Sequence, residues 1–153
     1  MTNRTTGGRS AAAAPRAREV RTVLLVEDDH DLQYLARRVL ERLGFRVLTA
    51  ADGEQGLQLF REHERDIDLV LSDAGLPKLD GMGLYRAVRE RNARVSFLLS
   101  SGGYTPPPAG NACAELEEAI PFIPKPWTVP QLEEAIERAL ASSPARSIAH
   151  DAP

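Results

Sequence analysis

Five short apolar runs, separated by stretches of helical periodicity, constrain this 153-residue chain more than any other feature. The runs are VRTVLLV (20–26), FRVLTA (45–50), IDLVLS (67–72), VSFLLSS (95–101) and IPFIP (120–124). Between them apolar residues recur three and four apart: Leu32, Leu35, Ala36, Val39, Leu40 and Leu43 after the first run, then Leu57 and Phe60, then Leu84, Tyr85 and Val88, and finally Val129, Leu132, Ile136 and Leu140. Gly44 supplies a stop for the first helix. Asp52 caps a second that runs to about His63, a third begins near Gly81 or Met82, and Thr128 caps the last. A further short helix is expected over 112–119. The segment GGYTPPPAGN before it reads as a loop, because Pro106, Pro107 and Pro108 cannot donate to a ladder and disfavour helix in their predecessors.

Strands that are apolar on both faces and alternate with helices predict one α/β domain over residues 20–141, with a parallel sheet covered on both sides. Residues 1–19 and 142–153 show no such period and are expected to be disordered tails. The length suits a single core. The balance of 19 basic against 22 acidic residues, a net charge of -3, argues against a nucleic-acid-binding surface or a basic membrane patch. The sign is uneven along the chain: Arg4, Arg9, Arg16 and Arg18 against Glu19 make the first twenty residues basic, so any cation site belongs to the acidic remainder. No apolar run approaches the roughly 18–20 residues of a membrane span. The single Cys113 and the scattered His30, His63 and His150 offer neither an internal disulfide nor a zinc spacing, which points to a reducing, cytoplasmic setting.

In sheets of this kind ligands bind outside the carboxyl ends of the strands. The first run ends in EDDHD, the third in Ser72 and Asp73, the fourth in Ser100 and Ser101, and the fifth in Lys125. Taken singly, these residues have ordinary roles open to them. Asp29 or Asp31 can cap the first helix, Asp73 and Asp80 can serve the following turn, and Ser101 can be loop chemistry. Brought to one rim, several carboxylates raise one another's pKa unless a cation neutralises them, and an all-oxygen set suits Mg²⁺. A carboxylate there is also a nucleophile able to form an acyl phosphate, a reaction that needs charge neutralisation and in-line positioning more than further covalent chemistry.

The motifs VLLVEDD, LVLSDAGLPKLDG, FLLSS and FIPKPW, in this order and each at a strand end, resemble those of the receiver domain of two-component response regulators over residues 20–141. The resemblance implies a flavodoxin-like (βα)5 three-layer sandwich with a five-stranded parallel sheet of order 2-1-3-4-5. It implies Asp73 as phosphoacceptor, Glu27 and Asp28 as the acidic pair, and Mg²⁺ held by Glu27, Asp28, Asp73 and the carbonyl of Gly75. Lys125 pairs with the phosphoryl group and precedes a cis peptide to Pro126, Ser101 is the switch hydroxyl with Ser100 as its rival, and Phe122 is the aromatic switch residue. The implied partners are a sensor histidine kinase or a histidine phosphotransfer protein, followed by an output protein the sequence does not name. Direct DNA binding is not expected, since about a dozen residues remain after the receiver.

Three departures stand out. Phe122 lacks the hydroxyl of a tyrosine. Trp127 stands where the family usually has Phe, either as a contact residue or as a core anchor. The segment 102–112 replaces the usual start of the fourth helix. Similar SGY and KPF segments are typical of receivers associated with hybrid histidine kinases. Two other functions compete. A Mg²⁺-dependent phosphatase needs a second Asp two residues after its nucleophile, and Gly75 stands there. A phosphorylation-independent interaction module needs none of the reactive residues, all of which are present.

Overall fold

Every residue of β1 (Thr22–Val26) is buried, as its unbroken apolar run requires of a strand covered on both faces. In the computed structural model, which describes residues 20–102 and 120–142, β1 is followed by α1 (His30–Arg42), β2 (Arg46–Ala50), α2 (Gly53–Glu62), β3 (Ile67–Asp73), α3 (Gly81–Arg91), β4 (Ser96–Ser101), β5 (Phe122–Pro124) and α4 (Val129–Ala141). The expected helix over 112–119, the loop beyond Gly102 and both expected tails apart from Ser142 lie outside the described residues. Ser142 itself closes α4, its amide donating to the Arg138 carbonyl.

All four strand pairings are parallel, and the sheet order is β2-β1-β3-β4-β5, the order expected of the flavodoxin-like sandwich. Two cores flank it. On one face Phe60 of α2 and Leu84, Tyr85 and Val88 of α3 pack on Leu24, Val26, Val70, Phe97 and Leu99. On the other, Ala36 and Leu40 of α1 and Leu132, Ile136, Ala139 and Leu140 of α4 pack on Val23, Leu25, Leu69, Leu71, Leu98 and Ile123. Each fully buried side chain of this size contributes about 1.5–3 kcal/mol relative to exposure.

The helix starts follow local chemistry. Asp29, Asp52 and Asp80 each accept a bond from the backbone amide three residues on, and Thr128 and Gln131 form a reciprocal capping box. Of the expected stripe of α1, Ala36 and Leu40 are buried and Val39 packs on the same core, whereas Leu32 and Leu35, in the first turns, are 37% and 52% exposed. Gln33 turns toward the rim there instead: its side-chain amide donates to the carbonyls of both Glu27 and Ala50 at 3.0 Å, tying the ends of β1 and β2 together.

The loop from Asp73 to α3 is held from two sides. A Cβ on Gly53 would fall on the Leu79 carbonyl oxygen, and one on Gly81 would lie 2.6 Å from that of Asp73. Only glycine permits either approach. Between them the Gly81 amide donates to the Ala74 carbonyl at 2.9 Å, which fixes where the chain leaves the end of β3.

Candidate functional site

β3 carries Asp73 to the carboxyl rim of the sheet between β1 and β4, and the rim residues of those neighbours converge on it. Glu27 follows β1 directly and is 6% exposed. Its amide donates to the Ala50 carbonyl at 3.0 Å, and its Oε2 accepts from the Asp29 amide at 3.1 Å. Asp28 is exposed. Glu27, Asp28 and Asp73 each offer a carboxylate oxygen within 4.8 Å of the others, so the acidic pair and the strand-end aspartate form one cluster.

Lys125 enters from the end of β5, its amide bonded to the Ser101 carbonyl at 3.2 Å, with a cis peptide to Pro126 beyond it. Its ammonium donates to Glu27 Oε1 at 2.7 Å and to Asp73 Oδ1 at 3.1 Å. The three side chains are 19%, 8% and 12% exposed respectively, well inside the range where an unpaired charge is costly. Burial raises the pKa of Glu27, and the bonds from Lys125 and the Asp29 amide only partly offset it. Burial also acts to lower that of Lys125, but the bonds to Glu27 and Asp73 outweigh it and the net shift is upward, so the ammonium is held charged.

The ordinary roles open to the acidic residues are now allocated. Asp29 caps α1 and Asp80 caps α3, each with its own side chain. Asp73 caps nothing; its one side-chain bond among the described residues is to Lys125. Lys78, with φ of 70°, lies in the following loop and pairs with Asp52 at 3.6 Å, away from the cluster. Lys78 and Lys125 are the only two lysines in the chain, against 17 arginines.

The two serines separate by strand alternation. Ser100 pairs in register with Asp73 and is 4% exposed, while Ser101, the last residue of β4, pairs with Pro124 and is partly exposed at the rim. Phe122 is partly buried against the core under α2 and α3. Trp127 packs on the opposite core, under α1 and α4, which favours the anchor reading of its indole. Gly75 is exposed, two residues beyond Asp73. Glu27, Asp28, Asp73 and Lys125 thus come together at one rim, while Ser101 and Phe122, by strand alternation, share the α2/α3 face of the sheet. Gln33 belongs to the rim as well and was not among the expected residues; its place on the stripe with Ala36 and Leu40 was the available signal.

The donor set suits a hard divalent cation. Three carboxylates supply oxygen only, and the exposed side at Asp28 leaves room for water ligands, as Mg²⁺ requires and zinc does not. Comparison with known proteins settles the family. The model of the response regulator receiver domain matches residues 23–137. The chain belongs to that family. Sensor kinase CckA of Brucella abortus is 33% identical to this receiver over 119 residues, 78% of the chain and 12% of CckA. Transcriptional regulatory protein CpxR of Escherichia coli is 31% identical over 128 residues, 79% of the chain and 50% of CpxR. The receiver therefore spans half or less of these relatives. Among solved structures, a receiver domain protein from Clostridium thermocellum superimposes with a TM-score of 0.70 at 28% identity, covering 80% of this chain and 95% of that one. The receiver domain of the hybrid histidine kinase CckA does so with a TM-score of 0.64 at 31% identity, covering 78% and 98%.

Proposed function

We propose that this receiver accepts a phosphoryl group onto Asp73 from a phosphohistidine of a sensor histidine kinase or histidine phosphotransfer protein, in a Mg²⁺-dependent reaction. It then signals by binding another protein or passes the group onward. The observation that carries the reading is the allocation of carboxylates: Asp73 has no capping role, yet it sits in a cluster with Glu27 and Asp28 and 3.1 Å from a charged lysine.

The residues divide the work. Glu27, Asp28 and Asp73, with the carbonyl of Gly75, would hold a Mg²⁺, which would offset the charge gathering on the phosphoryl oxygens. With Oδ1 held by Lys125, Asp73 Oδ2 attacks phosphorus. A P–O bond forms as the P–N bond to the donor imidazole breaks, and the imidazole nitrogen keeps the electron pair and takes up a proton. Lys125 then donates to a phosphoryl oxygen in place of Asp73, and Ser101 follows another. The acyl phosphate carries about -1.5 to -2 of charge where the carboxylate carried about -1, and spreads it over oxygens that reach further from β3. Phe122 responds by packing alone, without a phenolic bond. The receiver works in the cytoplasm and does not itself bind DNA; no described helix is long and apolar enough to cross a membrane. It catalyses only its own phosphorylation and dephosphorylation. The missing second aspartate at Gly75 weighs against a phosphatase, and the complete reactive set weighs against a phosphorylation-independent module.

The test is Mg²⁺-dependent labelling by a small acyl phosphate, read as a mass shift. Wild type takes up one phosphoryl group and Asp73→Asn takes up none. Labelling that persists in Asp73→Asn moves the site elsewhere.

A further inference from the structure

Position 100 stands where the apolar face of β4 meets the polar rim. Its partners in register are Asp73 and Ile123, and Leu25, Leu71 and Trp127 wall the cleft beside it. Ser100 is 4% exposed and its Oγ has no hydrogen-bond partner among the described residues. An unpaired buried hydroxyl costs about 1–3 kcal/mol, so such a group calls for a ligand. Ser96, one turn of the pleat away from Leu98 on the same face, is the only other described side chain in this condition.

The two serines differ in what lies beside them. Ser100 lines a cleft of about 20 Å³ whose other walls include Glu27, Asp73, Lys125 and Trp127; Ser96 does not reach it. That volume exceeds the roughly 10–15 Å³ needed to seat one water. The cleft also contains a donor in need of an acceptor. An ammonium has three N–H groups, and Lys125 places two of them, on Glu27 and Asp73.

We propose that one water molecule is bound in this cleft, accepting from the third N–H of Lys125 and bonded to Ser100 Oγ. Ser100 is thereby a positioning residue for Lys125: it acts through the water and touches neither phosphoryl group nor metal. With the water in place, the ammonium is held by three bonds in different directions and meets an incoming phosphoryl oxygen already oriented. The effect on phosphotransfer rests on the function proposed above; the water site does not.

The chain's lysine content provides a selective readout, since protein labelled with ¹⁵N at lysine Nζ gives signals from Lys78 and Lys125 alone. In the full-length protein, the Lys125 ammonium shows cross-relaxation to a long-lived water and slow hydrogen exchange. In Ser100→Ala its exchange speeds up about threefold or more and its signal shifts, Ser100→Thr restores the wild-type pattern in part, and Ser96→Ala leaves it unchanged. A wild-type Lys125 signal without water contact, or one that Ser100→Ala does not move, overturns the proposal. The wild-type measurement decides the water site even if Ser100→Ala fails to fold. Labelling by a small acyl phosphate then falls about three- to tenfold in Ser100→Ala and not in Ser96→Ala; equal rates overturn the positioning role. Wild type that takes no label at all defeats the proposed function, while the lysine spectrum still decides the water.

Discussion

β3 carries an aspartate near each end, and the two have opposite fates. Asp68, near the amino end, accepts a single bond from the Thr22 amide at 2.8 Å, where the register between β1 and β3 shifts. That bond repairs a local irregularity in the ladder and calls for nothing else. Asp73, five residues on, lies among two other carboxylates and a lysine, an arrangement that is electrostatically incomplete without a further cation. One strand therefore separates a carboxylate spent on structure from one that, on the function proposed above, is held for chemistry. What distinguishes them is the company each keeps at its end of the sheet.

The widest gap between them is in reactivity. Asp73→Asn is expected to abolish Mg²⁺-dependent uptake of a phosphoryl group, whereas Asp68→Asn retains wild-type labelling; a receiver that needs both would erase the contrast. Next is Lys125→Met, which removes the only described cation contacting Asp73. The labelling rate falls about 100-fold, the scale of losing one preorganised donor, and the apo protein loses roughly 2 kcal/mol in a denaturant titration because two buried carboxylates lose their partner. This loss has a defined pH dependence. The folded pKa of Lys125 is raised, so its contribution is full below the ordinary value of 10.5 and disappears as pH rises through the folded one. The stability gap between wild type and Lys125→Met therefore narrows above 10.5.

Mg²⁺ sharpens the contrast on the thermal scale. At 100 times its dissociation constant it stabilises the wild type by about 2.7 kcal/mol. Asp28→Asn, at an exposed position, leaves the apo protein within about 0.5 kcal/mol of wild type but removes most of that gain. Because burial raises the pKa of Glu27, the gain also shrinks as pH falls toward and through that raised value. The smallest effect belongs to Asp68→Ala, which costs about 1 kcal/mol for one lost bond with or without Mg²⁺. A Mg²⁺-dependent cost there would tie the two ends of β3 together.

Much of this arrangement was legible in the sequence because it is written in local signals. Apolar runs gave the strands, Asp52 and Thr128 gave helix starts, and the residues following each run gave the rim. Sequence left open whether Asp29 or Asp31 caps α1, and whether Asp73 and Asp80 serve the turn after β3, since capping depends on which side chain meets an amide three residues on. Only coordinates show that Asp29 and Asp80 do so and Asp73 does not. At the start of α1 the apolar period departs from the buried face, where Leu32 and Leu35 are exposed, for a related reason. Leucine periodicity marks an apolar band, but the position of Gln33 is set by two carbonyls, one of them on a strand 17 residues away. The burial of Ser100 was hidden likewise: a serine at the end of a run reads as exit from the sheet, while its register with Asp73 keeps it inside.

Trp127 gives this geometry an optical consequence. It is the one tryptophan in the chain, and it walls the cleft shared by Asp73 and Lys125. The red-edge fluorescence of this chain thus originates beside the carboxylate cluster. If the proposed metal binding and phosphoryl transfer take place there, both become readable in unlabelled protein, in real time, from a single emitter.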